Sequence, residues 1–176
     1  MGTDIIVLNG GSSSGQTTLA RSLQAILSEP WLRVGVDTLI DAMPASITSG
    51  GAGIGFTASG GVSVGSAFRA LELAWMRGVA AMARAGANII VDDVFLGGGT
   101  SQDRWRAALK GLRVLWVGVS CAPEFAAQRE ASRSDRIAGM AASQTAVVHE
   151  GVLYDVQVDT SYRSSLECAR ILATHI

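Results

Sequence analysis

Gly10, Gly15 and Thr17 stand at the spacing G-x4-G-x-[ST], behind the apolar run Ile5-Ile6-Val7-Leu8 and ahead of a segment with apolar residues at Leu19, Leu23, Ile26 and Leu27. A strand, a glycine loop and a helix in that order form the arrangement in which backbone N–H groups and a helix N-terminus wrap polyphosphate, while the Ser/Thr hydroxyl serves magnesium. Gly10, Gly11, Ser12, Ser13, Ser14, Gly15, Gln16, Thr17 and Thr18 are therefore the candidate nucleotide-binding residues. The departure is Gln16, which occupies the position where such loops carry lysine. Backbone cradle and hydroxyl need no lysine, whereas charge neutralisation at the outer phosphates does, so turnover demands a cation from elsewhere. Lys110 is the only lysine in the chain and lies on a polar stretch before a later strand, which leaves arginine as the replacement.

Acids fall at strand ends. Asp37 follows the run Leu32 to Val36, and Asp92-Asp93 follow Ile89-Ile90-Val91. In a parallel sheet those ends face the ligand crevice. Asp37 reads either as the N-cap of a helical turn beginning at Thr38 or as the base that takes a proton from an attacking hydroxyl. Asp92 reads as a magnesium-holding acid acting through water, with Thr17 as direct ligand, and Asp93 as a cap or support for the next loop. Arg129, Arg133 and Arg136 recur at spacings of four and three, so a continuous helix would place them on one face. Such a row is either a solvated face or a lid that brings cations to a transferring phosphoryl group.

Alternating elements position these groups. Beyond the first strand and helix, strands are expected at Leu32–Val36, Asn88–Asp92, Val114–Val119 and Tyr154–Val158. Helices are expected over Ser66–Arg84, around Trp105 and Leu109, over Ala122–Ser132 and over Ser164–Ala173. The fold class is α/β: a single domain over 1–176 with a five-stranded parallel sheet, helices on both faces and a small arginine-bearing lid over 122–139. Residues 46–65 are rich in glycine and serine, with Ile47, Ile54, Phe56, Val62 and Val64 scattered through them. An ordered loop or short hairpin that shapes the acceptor site is expected there.

Composition narrows the partners. A formal charge of −1 without a basic cluster argues against nucleic acid. No run approaches the eighteen or so apolar residues of a membrane span, so a cytoplasmic location is expected. Cys121 and Cys168 lack metal-type spacing and read as buried free thiols. His149 and His175 read as surface or loop residues, and the four tryptophans as core. A dinucleotide-binding turn with Asp37 as the ribose acid is the competing reading of the loop. Thr17 stands where its third glycine would be, and neither Tyr154 nor Tyr162 begins a Tyr-x3-Lys pair. A nucleotide or ligand sensor that has lost its chemistry through Gln16 is the other alternative. Whether the chain is a monomer or a homo-oligomer is left open.

Several longer segments carry a resemblance. The phosphate loop, Glu29-Pro30-Trp31, Gly35-Val36-Asp37, Ala42-Met43-Pro44, Met82 to Ala87, Asp92 to Gly98, Leu115 to Val119 and Val148-His149-Glu150-Gly151 resemble chloramphenicol phosphotransferase over nearly the whole chain. The resemblance implies a P-loop kinase of the shikimate-kinase-like type, which uses ATP and Mg2+ to phosphorylate a primary hydroxyl of chloramphenicol or a similar small molecule. It further implies that Asp37 is the base, that Arg133 and Arg136 belong to the lid, and that Gly11 to Thr18 hold ATP. The family loop carries lysine where this chain has Gln16.

Overall fold

The computed structural model describes residues 2–48, 53–56, 62–131, 144–145 and 147–176. Ile5, Ile6, Val7 and Leu8 are all buried, as a strand covered on both faces must be. They form β1 (Ile5–Asn9), which leads through the loop into α1 (Gln16–Ile26). There follow β2 (Trp31–Gly35), α2 (Val36–Asp41), the single turn α3 (Ala45–Thr48), β3 (Ile54–Phe56), β4 (Val62–Val64) and α4 (Ser66–Arg84). The rest of the chain supplies β5 (Asn88–Asp93), α5 (Gly99–Ala108), β6 (Val114–Ser120), α6 (Pro123–Ala131), a 3-10 turn at Val147–His149, β7 (Val156–Asp159) and α7 (Ser165–Ala173).

Five strands pair in the order β2-β5-β1-β6-β7, all in parallel, which agrees with the sheet expected from sequence. Of the ordered loop or short hairpin expected within 46–65, the structure shows the strand pair β3–β4, antiparallel and outside the main sheet. Boundaries move by one or two residues. The second strand ends at Gly35 rather than Val36, so Asp37 lies in the first turn of α2 and Gly35 is the cap position, with no side-chain cap bond. Asp37 is thus not the N-cap that its position before Thr38 allowed.

Two-residue periodicity divides the core. Ile6, Leu8 and Ile90 face α1 and α7, packing with Leu19, Leu23, Cys168 and Leu172. Ile5, Val7, Ile89 and Val91 face α4 and α5, packing with Met76, Val79, Trp105 and Leu109. The two cysteines are buried and free, as expected. Helix α7 starts on a reciprocal capping box between Ser164 and Glu167, a polar stop that fixes where its apolar face meets the sheet. A third, smaller cluster of Leu39, Ile54 and Phe68, with Val36, Ile40, Val62 and Val64, packs the β3–β4 hairpin over α2 and the start of α4. No helix among the described residues is long and apolar enough to cross a membrane.

At the opposite end of the sheet from the loop, Asp4 joins β1 to β6. Its Oδ2 accepts from the backbone N–H of Arg113 at 2.9 Å and from Arg113 Nε at 3.1 Å, and its Oδ1 pairs with Arg113 Nη2. These donors hold the Asp4 carboxyl below the usual carboxylate range. A lowered folded-state pKa stabilises the fold above the unfolded-state value, and that contribution is lost as pH falls through the folded value. Asp4→Asn should therefore be less stable than the parent at neutral pH, with the difference closing as chemical denaturation is repeated toward pH 3.

Candidate active site

The order of the strands reverses about β1, and the crevice opens there, at the carboxyl ends of β1, β5 and β2. At Gly10 an added Cβ would lie 2.4 Å from the Val119 carbonyl oxygen, so the chain leaves the strand through a gap that only glycine fits. Gly15 then closes the loop at φ 90° and caps α1. Thr160 Oγ1 donates to the Ser14 carbonyl at 2.6 Å. Arg129 braces that threonine, with Nη1 3.1 Å from Oγ1 and Nη2 2.6 Å from the Thr160 carbonyl. Arg129, expected on a row facing the nucleotide, is in this structure engaged with the base of the loop. Arg133 and Arg136 lie outside the described residues.

The loop carries hydroxyls that can donate to a ligand. The hydroxyls of Ser12 and Ser13 are buried without a hydrogen-bond partner, and Ser13 adopts φ 61°, unusual outside glycine. Buried unpaired hydroxyls are costly, and phosphate oxygens are suitable acceptors for them. The Ser12 backbone N–H donates to Gln144 Oε1 at 2.8 Å, so a neutral carboxamide oxygen lies where the loop can receive an anionic one.

Gln16 faces inward. Its Nε2 donates to the carbonyls of Leu8 at 3.1 Å and Asp93 at 2.8 Å, and the residue is only 6% exposed. The amide ties the first turn of α1 to the ends of β1 and β5. At the end of β5, alternation sends the neighbouring acids to opposite faces. Asp92 turns toward α1, where Oδ2 accepts from Thr17 Oγ1 at 2.8 Å and meets Arg33 Nη1 at 3.4 Å. Asp93 turns toward α5, accepting from Trp105 Nε1 at 2.6 Å and from the Val94 N–H at 2.7 Å. Burial raises both carboxyls, Asp93 to about 6, while Thr17 and Arg33 oppose the shift at Asp92. Asp93 thus supports the β5–α5 loop, as its position suggested. Thr17 and Asp92 offer hydroxyl and carboxylate oxygens, the hard donors that magnesium prefers, and a divalent cation would favour the ionised carboxylate that burial penalises.

Asp37 lines the same cavity and is near enough for its charge to raise Asp92. That cavity has a volume of about 330 Å³. The loop, Asp92 and Arg33 line it together with the apolar side chains of Ile40, Ile54, Val62, Val64, Phe68 and Met76. Also in its lining, Glu72 accepts from Arg69 Nη1 at 2.8 Å and pairs with Arg104 Nε at 3.3 Å. Sequence reasoning missed this trio and Arg33. Only the Arg69–Glu72 spacing of three on one helix carried a local signal. It also missed Asn9, whose side chain ties β1 to the Val148 carbonyl at 2.7 Å, the Phe95 N–H at 2.8 Å and Tyr154 Oη, which in turn meets His149 Nδ1 at 2.7 Å. His149, expected at the surface or in a loop, lies half-buried in this network at the end of the Val147–His149 turn.

A parallel sheet of this order, with a phosphate loop after its central strand and acids at the adjoining strand ends, defines a P-loop kinase fold. The family model of chloramphenicol phosphotransferase-like proteins matches residues 3–176, and the chain belongs to that family of small-molecule phosphotransferases. A protein of Mycobacterium tuberculosis (strain ATCC 25618 / H37Rv) named as a "putative O-phosphotransferase" is 30% identical over 184 residues, covering 96% of this chain and 80% of its own. Among solved structures, a sugar kinase from Janibacter sp. HTCC2649 is similar with a TM-score of 0.69 and 21% identity, covering 99% of this chain and 94% of that one. The Mycobacterium tuberculosis APS kinase in complex with AMPPNP and APS has a TM-score of 0.64 at 14% identity, covering 98% and 96%. At those identities the likeness is one of fold.

If the Gln16 amide works as a structural tie, Gln16→Ala leaves two buried carbonyls without that donor and lowers stability by about 1–3 kcal/mol in urea unfolding. A side chain directed only at phosphate would leave the unfolding midpoint unchanged.

Proposed function

We propose that this protein transfers the γ-phosphoryl group of ATP to a hydroxyl of chloramphenicol or a similar small molecule with an apolar body, and so inactivates an antibiotic. The observation that carries the reading is a single cavity in which the phosphate loop and Asp37 share space with an apolar wall. The loop N–H groups and the orphan hydroxyls of Ser12 and Ser13 hold the polyphosphate of the donor substrate. Thr17 and Asp92 would hold Mg2+, which neutralises charge on the phosphates when bound. The hairpin wall takes the apolar part of the acceptor and excludes water, leaving its hydroxyl toward Asp37.

Asp37 takes the hydroxyl proton as the acceptor oxygen forms its bond to the γ-phosphorus. The bond from that phosphorus to the β–γ bridging oxygen breaks, and ADP leaves with the electron pair. Lid cations, with Arg133 and Arg136 as the candidates, would meet the charge on the transferring group.

One observation favours a second reading, a nucleotide sensor: the residue in the lysine position is neutral and tied into the backbone. The readings separate by experiment. Asp37→Asn should lower transfer of labelled phosphate from ATP to chloramphenicol by about 10²–10⁴-fold while calorimetry finds ATP binding nearly unchanged. Turnover retained in that variant removes Asp37 as base. ATP binding by the parent without transfer to any hydroxylated acceptor favours the sensor.

A further inference from the structure

We infer that Arg33 is the cation that meets the outer phosphates in place of the missing loop lysine, reaching them from the sheet itself. The inference rests on the nucleotide-binding reading above. Its starting point is register. In the parallel pairing of β2 with β5, Arg33 lies opposite Ile90 and Gly35 opposite Asp92. Paired positions share a face, so Arg33, Ile90 and Asp92 all lie on the side of the sheet that packs α1, and α1 carries Thr17. Two residues of strand rise, roughly 6.6 Å, separate the Arg33 level from the Asp92 level, a span that the arginine side chain covers. Its Nη1 meets the carboxylate oxygen that Thr17 also uses, so the guanidinium stands one oxygen atom away from the loop hydroxyl.

Among the described residues, the other arginines near the loop and the cavity have partners of their own. Among the described residues, Arg33, Arg69 and Arg104 line the cavity. Arg69 and Arg104 both pair with Glu72. Arg129 binds Thr160 and the Cys121 sulfur. Arg33 meets Asp92 at 3.4 Å, the long end of hydrogen bonding, and its side chain keeps 27% exposure within the cavity. A planar guanidinium so placed can exchange one carboxylate oxygen for phosphate oxygens in a bidentate contact. A cation occupying the Thr17–Asp92 pair would favour that exchange by competing for Asp92.

The test is calorimetric titration of the full chain with Mg-ATP and, separately, with AMP, for the parent, Arg33→Met and Arg33→Lys, with melting temperatures recorded. The expected result is a loss of ATP affinity in Arg33→Met of roughly ten- to a hundredfold, the range for a charged hydrogen bond, with AMP affinity unchanged and part of the loss recovered in Arg33→Lys. Equal ATP affinity in parent and Arg33→Met overturns the inference and leaves the nucleotide reading standing. An equal loss for ATP and AMP also overturns it, since Arg33 would then act only by holding Asp92. Should Arg33→Met fail to fold, Arg33→Lys decides: ATP affinity below that of the parent at unchanged AMP affinity supports phosphate contact, and parallel losses overturn it. A parent that binds no ATP at millimolar concentration removes the nucleotide reading and the inference together.

Discussion

The site depends on how the carboxyl ends of β1 and β5 are tied off. A parallel strand that stops inside a protein leaves carbonyl groups without strand partners, and buried carbonyls need donors. Here one carboxamide, that of Gln16, serves the carbonyls of both Leu8 and Asp93. The first turn of α1 is thereby fixed against two strands at once. The Thr17 hydroxyl follows one residue later and falls on Asp92. Asn9 makes the matching tie on the other side, holding the β5–α5 loop and the 3-10 turn with the two ends of one amide.

Charge is distributed around that frame in a way that the loop alone does not explain. The lysine position contributes no charge, yet the cavity is not poor in cations. Glu72 holds two guanidinium groups and Asp92 holds a third beside the loop. Burial makes carboxylates costly, and the cations offset that cost. Burial pushes the Asp93 carboxyl up to about 6, and the hydrogen bonds from the Trp105 indole and the Val94 N–H offset only part of that shift. Neighbouring acids on one strand therefore differ in character because the strand turns them to different faces.

The loop was legible because its pattern is local: glycines for close approach, hydroxyls at the spacing of a phosphate loop, and flanking apolar runs whose periodicity fixes strand and helix. Asp37 and Asp92 were legible for the same reason, as acids at the ends of such runs. Arg33 was not, since in the sequence it is one polar residue inside Trp31-Leu32-Arg33-Val34-Gly35 and reads as an interruption of an edge strand. Arg129 was read as part of a helical row, and its spacing was no guide to Thr160, a residue 31 positions away. Gln16 was identified as a lost charge, while its use as a structural tie depends on two carbonyls that come together only when β1 and β5 pair.

The sequence by itself determined the α/β alternation, the parallel sheet, the phosphate loop and the acids that surround it, because each is written in short-range periodicity and residue type. Only the tertiary structure decided which cation stands beside the Thr17–Asp92 pair, which acid turns to α1 and which to α5, and what the Gln16 amide does. Those outcomes follow from strand order and register, which bring β2 beside β5 and β5 beside β1 across nearly the whole N-terminal half of the chain. No local pattern specifies such neighbours, since pairing is set by the burial of entire faces rather than by the residues that end up in contact.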